Sequence, residues 1–191
     1  DHYKVAKQAD TLMLFYLLES DELISLLNQL GYDVDKPEHF LINNFDYYIK
    51  RTSHGSTLSY VVHAYLLDEI PNRDDDLWKW FHYALNSDFD DIQGGTTEEG
   101  IHCGVMAGNI NLIYNCFAGI KMGNTIRLNP NMPKHWKSLT LKIKFLSVDY
   151  RFDITNHKIK IKTDSRHNRK VRYKNQEFDF SNSNEIIFPL A

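Results

Sequence analysis

The spacing of apolar residues changes once along the chain, and this change limits the possible folds. Up to about residue 124, apolar side chains recur at intervals of three and four, as in Val5, Ala9, Leu12 and Tyr16, which is typical of amphipathic helices. From about residue 125 they alternate with polar ones, as in LKIKF and KIKIK, which is typical of half-buried strands. The sequence therefore predicts an all-α module over residues 1–124 followed by an all-β module over residues 125–191.

Six helices with short connections are predicted in the first module. The first covers residues 4–18. Ser20 is the predicted N-cap of the second, which Gly31 ends, and Pro37 is the predicted first residue of the third. The other three are predicted over residues 57–69, 75–86 and 98–117. Short connections favour antiparallel neighbours.

The second module contains seven segments with a period of two. Asn156, Asp164, Asn175 and Asn182 are the residues predicted to supply turns between them. The segments are TIRLNP, LTLKIKFL, DYRFDIT, HKIKIKT, KVRYK, EFDF and EIIFP. They predict a small antiparallel β-sandwich.

Charge is unevenly divided between the two parts, although the formal net charge is only −3. Residues 134–191 hold 13 Lys/Arg and 6 Asp/Glu, whereas residues 1–133 hold 9 and 19. The lysines of the basic part alternate with apolar residues, so they are predicted to form the solvent face of a sheet, where they discourage edge-to-edge association. We therefore expect no nucleic-acid partner.

Several other classes of protein do not fit the sequence. No apolar run approaches the roughly 20 residues that span a bilayer, and no cleavable signal pattern opens the chain. The two cysteines, Cys103 and Cys116, have no zinc or redox spacing, which predicts reduced, buried thiols in a cytoplasmic protein. None of the nine histidines forms a pair with metal-ligand spacing, so no metal is expected.

The stretch RTSHGSTLS, from Arg51 to Ser59, has the composition of an anion site. A helix is predicted to begin at Ser56 or Thr57, and the first amides of a helix lack internal partners and carry partial positive charge. Gly55 permits close approach of an anion, hydroxyls add donors, Arg51 and His54 can add charge, and residues 47–67 contain no carboxylate. Phosphate fits these features. The alternative is that Ser56 is only an N-cap and His54 an ordinary loop residue.

Two further motifs carry polar side chains with possible ligand-binding roles. Lys7 and Gln8 of KQAD could hydrogen-bond sugar hydroxyls, or could be an exposed pair on a helix. In GGTTEEGIHCG, Thr96 or Thr97 is the predicted helix cap and His102 lies one turn further on. His102 could point into a pocket, or could be a buried and satisfied histidine.

Taken together, four stretches resemble glycoside hydrolase family 65, which includes maltose, trehalose and kojibiose phosphorylases. They are KQADTLMLFYL, YYIKRTSHGSTLS, GTTEEGIHCGVMAGNINLIYNCFAGI and IRLNPNMPKHWKSLTLKIKF, in this order over nearly the whole chain. The resemblance covers the C-terminal part of the family. It implies that residues 1–124 are the second half of an (α/α)6 barrel and that residues 125–191 are the β-sandwich that follows.

The resemblance also implies a role for individual residues. Lys7 and Gln8 match the positions that bind the glucosyl ring, and His102 of the EGIH motif is expected near the pocket as a substrate-binding residue. The family's His-Gly-Ser-Ser stretch holds inorganic phosphate, and the matching residues here are His54, Gly55, Ser56 and Thr57. Thr57 replaces the commoner second serine but keeps a hydroxyl.

The implied reaction is inverting phosphorolysis of an α-glucosidic disaccharide to β-glucose 1-phosphate, with phosphate as co-substrate and no cofactor. An inverting hydrolase needs a second carboxylate to activate water, whereas phosphate needs a cradle of cations and hydroxyls. The family's general acid, a glutamic acid, lies N-terminal to KQAD, so the catalytic residue is expected outside this chain. The chain also begins without methionine, and we expect a fragment that is inactive alone.

An open half-barrel would expose apolar helix faces, so a homodimer or association with the missing half is expected. Two alternatives remain open. Asp46, just outside the loop, leaves room for a hydrolase of the same family. A non-catalytic carbohydrate-binding module is the other, with Trp78, Trp80 and Trp136 as candidate platforms unless they serve ordinary packing.

Overall fold

The computed structural model describes residues 5–91, 98 and 100–190. Backbone contacts divide the chain into two compact units, Asp1–Leu112 and Ile113–Ala191. In the described residues, the first unit holds all the α-helices and the second holds all the β-strands. The predicted order of an all-α part before an all-β part is confirmed.

Six α-helices form the described part of the first unit. Three of them precede the loop of residues 54–57, and three follow it. They are α1 (Met13–Leu17), α2 (Ser20–Gln29), α3 (Pro37–Ile49), α4 (Leu58–Leu67), α5 (Asp74–Asn86) and α6 (Cys103–Leu112). The predicted number of helices is confirmed.

Helix ends follow the local signals in the sequence at several positions. Gly31 has φ +83°, and the amides of Gly31 and Tyr32 bond to the carbonyls of Asn28 and Leu27, which makes a Schellman motif after α2. Pro37 is the first residue of α3. Ser20, however, is already inside α2, and Glu19 occupies the cap position.

The predicted first and last helices are longer than the observed ones. Residues 5–12 precede α1, and Ala6 instead forms a parallel bridge with Thr52, because its amide and carbonyl bond to Arg51 and Ser53 at 3.0 and 2.8 Å. Helix α6 begins at Cys103 rather than at residue 98, and a π-helix follows over Ile113–Phe117. The predicted cap residues Thr96 and Thr97 lie outside the described residues.

Helix α4 is the most buried helix of the first unit. Eight of its ten residues are buried, whereas α2 and α5 bury only one stripe each. A helix that is apolar around its whole circumference lies inside a protein. Helix α6 packs against α4 where Gly108 meets Val61, since a Cβ on Gly108 would lie 2.7 Å from a Val61 methyl. The loop of residues 54–57 therefore leads directly into the core helix.

Eight strands form two four-stranded sheets in the second unit. The first has the order β1-β2-β6-β7 and the second the order β3-β4-β5-β8. The strands are β1 (Ile120–Met122), β2 (Ile126–Leu128), β3 (Ser138–Phe145), β4 (Val148–Thr155), β5 (Lys158–Thr163), β6 (Val171–Tyr173), β7 (Gln176–Phe178) and β8 (Glu185–Pro189). Residues from both sheets share one apolar core, which includes Ile120, Val171, Phe152 and Ile161.

All seven predicted strands occur, but the purely antiparallel arrangement is wrong for one pair. Strands β2 and β6 are parallel, with Ile126 opposite Val171. Parallel neighbours need a long crossover, and here β3, β4 and β5 of the other sheet supply it. Strand β1 was not predicted, because it lies within residues 1–124, which were predicted to be all-α. The lysine face is confirmed on β5, where Ile159 and Ile161 are buried while Lys158 and Lys162 are exposed.

The described residues also test the expectations for membrane-spanning segments and for the two cysteines. None of the helices there combines the length and apolar character that crossing a membrane requires. Both cysteines are free thiols, and Cys116 is buried as predicted. The prediction is wrong for Cys103, which is exposed at the first turn of α6.

Candidate functional site

The segment that carries Lys7 and Gln8 lies alongside the segment that carries His54 to Thr57. The carbonyl oxygen of Lys7 accepts two hydrogen bonds, from the amide of Gly55 at 2.8 Å and from Oγ of Ser53 at 3.0 Å. With the bridge between Ala6 and Thr52, these bonds make a short parallel pairing of the two segments. Two motifs that are far apart in the sequence therefore lie side by side.

Ser59 attaches the Lys7–Gln8 segment to the core helix. Its hydroxyl oxygen accepts a bond from the amide of Ala9 at 3.1 Å, and both residues are buried. The Ser59 hydroxyl, which was expected with those of Ser56 and Thr57 to serve as a donor to an anion, is therefore used inside the protein. Two residues after Gln8, Asp10 accepts a 2.8 Å bond from the Gln8 amide group, which orients that side chain.

The N-terminal end of α4 offers several backbone donors. The amides of Ser59 and Tyr60 turn back to the carbonyls of Ser56 and Thr57, each at 3.1 Å. Within the described part of the chain, the amides of Ser56, Thr57 and Leu58 have no acceptor, and no side chain caps α4. Three consecutive unsatisfied amides at a helix N-terminus suit an anion.

His54 shapes the loop but contributes little charge in this structure. Its φ of +53° lies in the left-handed region, which costs a residue with a Cβ roughly 1–2 kcal/mol and turns the chain into α4. The ring packs on Trp80 and Tyr60 at centroid distances of 5.0 and 5.6 Å. Burial lowers the pKa of His54 below its ordinary value, so the neutral imidazole is favoured.

The side chain of Arg51 is turned back toward α3 rather than toward the loop of residues 54–57. Its guanidinium donates to the carbonyl of Tyr47 at 2.8 Å and lies 3.8 Å from the centre of the Tyr47 ring. The expectation that Arg51 and His54 both add charge therefore does not describe this arrangement.

Lys7 brings a cation to the loop instead. A Cβ placed on Gly55 would lie 3.1 Å from Cγ and 3.5 Å from Cε of Lys7. The alkyl chain of Lys7 thus lies directly over Gly55, and the ammonium group is one bond beyond Cε. Only a glycine leaves this space without displacing the lysine.

The hydroxyls of the loop differ in exposure. Gly55 is exposed and Ser56 is half-buried, so this part of the loop is open to a ligand. Thr57 is only 3% exposed. Of the two hydroxyl residues assigned to phosphate, Ser56 is therefore the more accessible.

His102 is held by a carboxylate at the end of α5. Asp88 accepts a bond from the His102 amide at 2.8 Å and one from ring Nδ1 at 2.7 Å. The side chain of Asp88 is 6% exposed, and that of His102 is 32% exposed. His102 is therefore neither fully buried nor loose, and Asp88 holds both its backbone and its ring.

Cavities do not by themselves identify the site. A pocket of about 20 Å³ lies between Gln8, Asp10 and the first turn of α4, enough for roughly one water molecule. A larger groove of about 570 Å³ lies on β3, β4 and β5 of the second unit. Its lining lysines, Lys142, Lys144 and Lys162, are exposed or lie on the sheet's solvent face, and it holds no predicted site residue, so we assign the site by its donors.

Three residues near the site were not identified by motif. Trp80 and Tyr60 surround His54, and His63 lies beneath it at a centroid distance of 5.1 Å. His63 is fully buried, and its Nδ1 lies 2.6 Å from the carbonyl of Ser59. In the sequence these three residues are visible only as a histidine and two aromatic residues within predicted helices. Trp78 packs on Phe81, and Trp136 packs on Phe117.

Comparison with protein families matches both units. A family model described as "Glycosyl hydrolase family 65 central catalytic domain" matches residues 1–111. A second, described as "Glycosyl hydrolase family 65, C-terminal domain", matches residues 121–180.

Individual proteins are also similar in sequence to this chain. An uncharacterized glycosyl hydrolase of Mycobacterium tuberculosis is 47% identical over 135 residues, which is 70% of this chain and 10% of that protein. Trehalose 6-phosphate phosphorylase of Lactococcus lactis is 44% identical over 140 residues, which is 73% of this chain and 18% of that enzyme. This chain thus spans less than a fifth of either relative.

A solved structure has the same fold. It is described as a kojibiose phosphorylase from the human microbiome, and it superposes with a TM-score of 0.75 at 23% identity. The superposition covers 98% of this chain and 25% of that structure.

Proposed function

Because the chain belongs to glycoside hydrolase family 65, we propose that it is part of a phosphorylase that cleaves an α-glucosidic disaccharide with inorganic phosphate. Four relatives named as phosphorylases of trehalose 6-phosphate, trehalose, kojibiose and glucosylglycerol support phosphorolysis over hydrolysis. In this proposal the six helices are half of an (α/α)6 barrel, and the protein acts with the rest of the barrel.

The observation that carries the proposal is the pairing of Lys7 with Gly55. It sets the candidate sugar-binding residues against the candidate phosphate-binding residues, with 2.8 Å between the Gly55 nitrogen and the Lys7 oxygen. A nucleophilic phosphate must lie next to the anomeric carbon that it attacks. The hydrogen-bonded pairing of the two backbone segments provides that proximity without movement of the loop.

We assign the phosphate to the amides of Ser56, Thr57 and Leu58 and to the hydroxyl of Ser56. The ammonium of Lys7, which lies over the same loop, balances part of the phosphate charge. His54 supplies one ring N–H as a donor in its neutral form. Lys7 and Gln8 hold the glucosyl hydroxyls, and His102 contacts the substrate from the start of α6.

The bond changes of the proposed reaction are those of an inverting displacement. A carboxylic acid protonates the glycosidic oxygen, and the bond from that oxygen to C1 breaks. A phosphate oxygen forms the new bond to C1 from the opposite face, which gives β-glucose 1-phosphate. This chain contributes the positions of phosphate and glucose, and we assign the proton donor to the rest of the barrel.

The carboxylate of Asp46 is held in an ion pair. Asp46, the residue that could have activated water, accepts a bond from Arg73 at 2.9 Å, and Arg73 also bonds Asp76 at 2.9 Å. A base that activates water must have a lone pair directed at that water. The ion pair thus favours phosphate over water as the nucleophile.

Exposed apolar side chains of the helical unit support association with further barrel helices. Leu17, Leu30, Phe89, Ile101 and Ile110 are all more than half exposed. Large exposed apolar patches mark interaction sites, and these five side chains are the candidates for such a patch. We therefore propose that these helices are covered in the complete protein, either by the remaining barrel helices or by a second copy.

The test is product analysis with the full-length protein. Trehalose 6-phosphate, trehalose, kojibiose and maltose are incubated with and without inorganic phosphate, and the anomer of the product is read by NMR. We expect β-glucose 1-phosphate to form from one of them only when phosphate is present. Free glucose at equal rates with and without phosphate would instead establish a hydrolase.

The variant Ser56→Ala tests the phosphate assignment in the same assay. Loss of a donor to a charged group costs on the order of 1–3 kcal/mol, so KM for phosphate should rise roughly 5- to 150-fold. KM for the disaccharide should change little. An unchanged KM for phosphate would contradict the role of this loop.

A further inference from the structure

An ionised Asp88 side chain is electrostatically unfavourable at its position unless hydrogen-bond donors contact its oxygens. Asp88 follows the C-terminal end of α5, where partial negative charge disfavours a carboxylate, and its side chain is only 6% exposed. Burial of an ionised carboxylate is unfavourable unless its oxygens are hydrogen-bonded.

His102 contacts both oxygens of the Asp88 carboxylate. Oδ2 accepts from the backbone amide of His102 at 2.8 Å, and Oδ1 lies 2.7 Å from its Nδ1. The carbonyl of His102, the residue directly before α6, in turn accepts the first bonds of that helix from the amides of Val105 and Met106. Asp88 thus fixes the backbone and the ring of His102 together.

The chemistry of these atoms determines which ring nitrogen carries a proton. An ionised carboxylate only accepts hydrogen bonds, so Nδ1 must be the donor, and neutral His102 is the Nδ1–H tautomer. Nε2 is then the ring atom on the side away from Asp88. About a third of the His102 side chain is exposed, which makes the ring accessible to a ligand.

We propose that Asp88 is a positioning residue, which holds His102 in one rotamer and one tautomer so that Nε2 is directed to the substrate. The inference rests on the proposed function, because it assigns His102 to the substrate site. Asp88 itself touches no substrate. Its contribution to phosphorolysis passes through His102.

The substitution Asp88→Asn separates positioning from simple helix capping. The asparagine oxygen can still accept the amide of His102, so the start of α6 is preserved. The asparagine NH2 group can only donate to Nδ1, which forces neutral His102 into the Nε2–H tautomer. Asp90→Asn is the matched control, because Asp90 is an exposed carboxylate two residues further on.

The first measurement is ¹⁵N NMR of histidine-labelled protein, with His102 assigned from His102→Ala. We expect wild-type His102 to have its proton on Nδ1 and the Asp88→Asn variant to have it on Nε2. Asp90→Asn should match wild type. A wild-type His102 with its proton on Nε2 would overturn the proposal, even if the Asp88→Asn variant does not fold.

The second measurement is a double-mutant cycle on kcat/KM in the full-length protein. We expect Asp88→Asn to lower kcat/KM about tenfold or more, which corresponds to about 1.4 kcal/mol. In the His102→Ala background, Asp88→Asn should have no further effect. Effects that multiply would show that Asp88 acts independently of His102, which contradicts the proposal.

The two proposals fail in different ways. If cleavage proves independent of phosphate, the proposed function fails. The NMR measurement of the His102 tautomer, and the double-mutant cycle on kcat/KM for hydrolysis, would still test the role of Asp88. If phosphorolysis is confirmed but the cycle is additive, only the positioning role fails.

Discussion

The amide of Gly55 donates a 2.8 Å hydrogen bond to the carbonyl of Lys7, and the alkyl chain of Lys7 lies over the Cα of Gly55. These two contacts join the KQAD motif to the loop before α4. The lysine carbonyl is satisfied by the loop while its ammonium extends across it. A single glycine therefore controls the position of one sugar-binding candidate and of the candidate phosphate-binding loop.

Substitution of Gly55 by alanine should weaken both ligands together. The new Cβ would lie 3.1 Å from Lys7 Cγ and 3.3 Å from the Lys7 carbonyl, so the two segments must separate by a few tenths of an ångström. We expect KM for phosphate and for the disaccharide to rise roughly tenfold each in the full-length protein. Steady-state kinetics with each substrate varied in turn measures this.

The matched control for this substitution is Gly104→Ala. No atom lies within 4 Å of a Cβ at that position in α6, and alanine favours a helix by about 0.5–1 kcal/mol over glycine. Both KM values should remain at wild-type levels. A rise in only one KM for Gly55→Ala would show that the segments do not act as one site.

Substitution of Ser59 by alanine should destabilise the fold and loosen the Lys7–Gln8 segment. The amide of Ala9 would lose its buried acceptor, which costs about 1–3 kcal/mol. Urea denaturation of the helical unit measures the loss. Hydrogen exchange at Ala9 should accelerate in parallel.

Ser53→Ala provides the comparison for Ser59→Ala. Ser53 is exposed, and the carbonyl of Lys7 keeps the Gly55 amide as a donor when the Ser53 hydroxyl is lost. We expect a change within about 0.5 kcal/mol. Equal losses for the two serine variants would mean that Ser59 is not the attachment point.

Stability should fall as the solution is acidified from about pH 6.5 toward pH 4. Burial lowers the pKa of His63 from its ordinary value to about 4 in the folded protein. Between these values the unfolded chain binds a proton that the folded chain does not, so the free energy of unfolding rises with pH in this window. The stabilisation is fully present above about pH 6.5 and amounts to about 3 kcal/mol.

The variant His63→Phe tests this assignment by denaturation at a series of pH values. Its free energy of unfolding should vary less with pH over the same window. Some dependence should remain, because burial also lowers the pKa of the neighbouring His54 and that of His167 in the second unit. A slope as steep as that of wild type would exclude His63 as the main source.

Gly119→Ala should disrupt the β-unit. Gly119 has φ +60°, and a Cβ there would lie 1.9 Å from the carbonyl oxygen of Asn129. Backbone cannot yield as a side chain can, so we expect a loss of more than about 4 kcal/mol. Thermal unfolding monitored by circular dichroism measures it.

Gly31→Ala separates backbone strain from the steric clash. Gly31 also has a positive φ, +83°, but no atom lies within 4 Å of its Cβ position. Strain alone should cost about 1–2 kcal/mol. Comparable losses at Gly31 and Gly119 would contradict the steric explanation.

The fold was largely readable from the sequence because its signals are local. A period of three to four residues is enough to predict α4 and α5, and alternation is enough for β3, β4 and β5. Such signals fail where long-range pairing competes with them. Residues 5–12 have helical spacing, yet Ala6 pairs with Thr52. Strand β1 follows directly after a stretch with helical spacing and lies before residue 125, where the β-module was predicted to begin.

The candidate site was readable as a list of residues but not as an arrangement. Motifs identified Lys7, Gln8 and the residues 54–57, and a helix beginning near Ser56 was expected from its polar cap. They could not indicate that Arg51 folds onto Tyr47, that the Ser59 hydroxyl is used by Ala9, or that Thr57 is buried. Asp88 carried no motif at all.

The sequence by itself determined the order of an all-α part and an all-β part, the number of helices, seven of the eight strands, and the family. Periodicity and motifs depend on near neighbours, so they need no tertiary information. Only the tertiary structure decided that Lys7 lies on Gly55, that Ser59 holds Ala9 fifty positions away, and that Asp88 holds His102. Hydrogen bonds between distant residues depend on how the chain packs, and no local pattern records that packing.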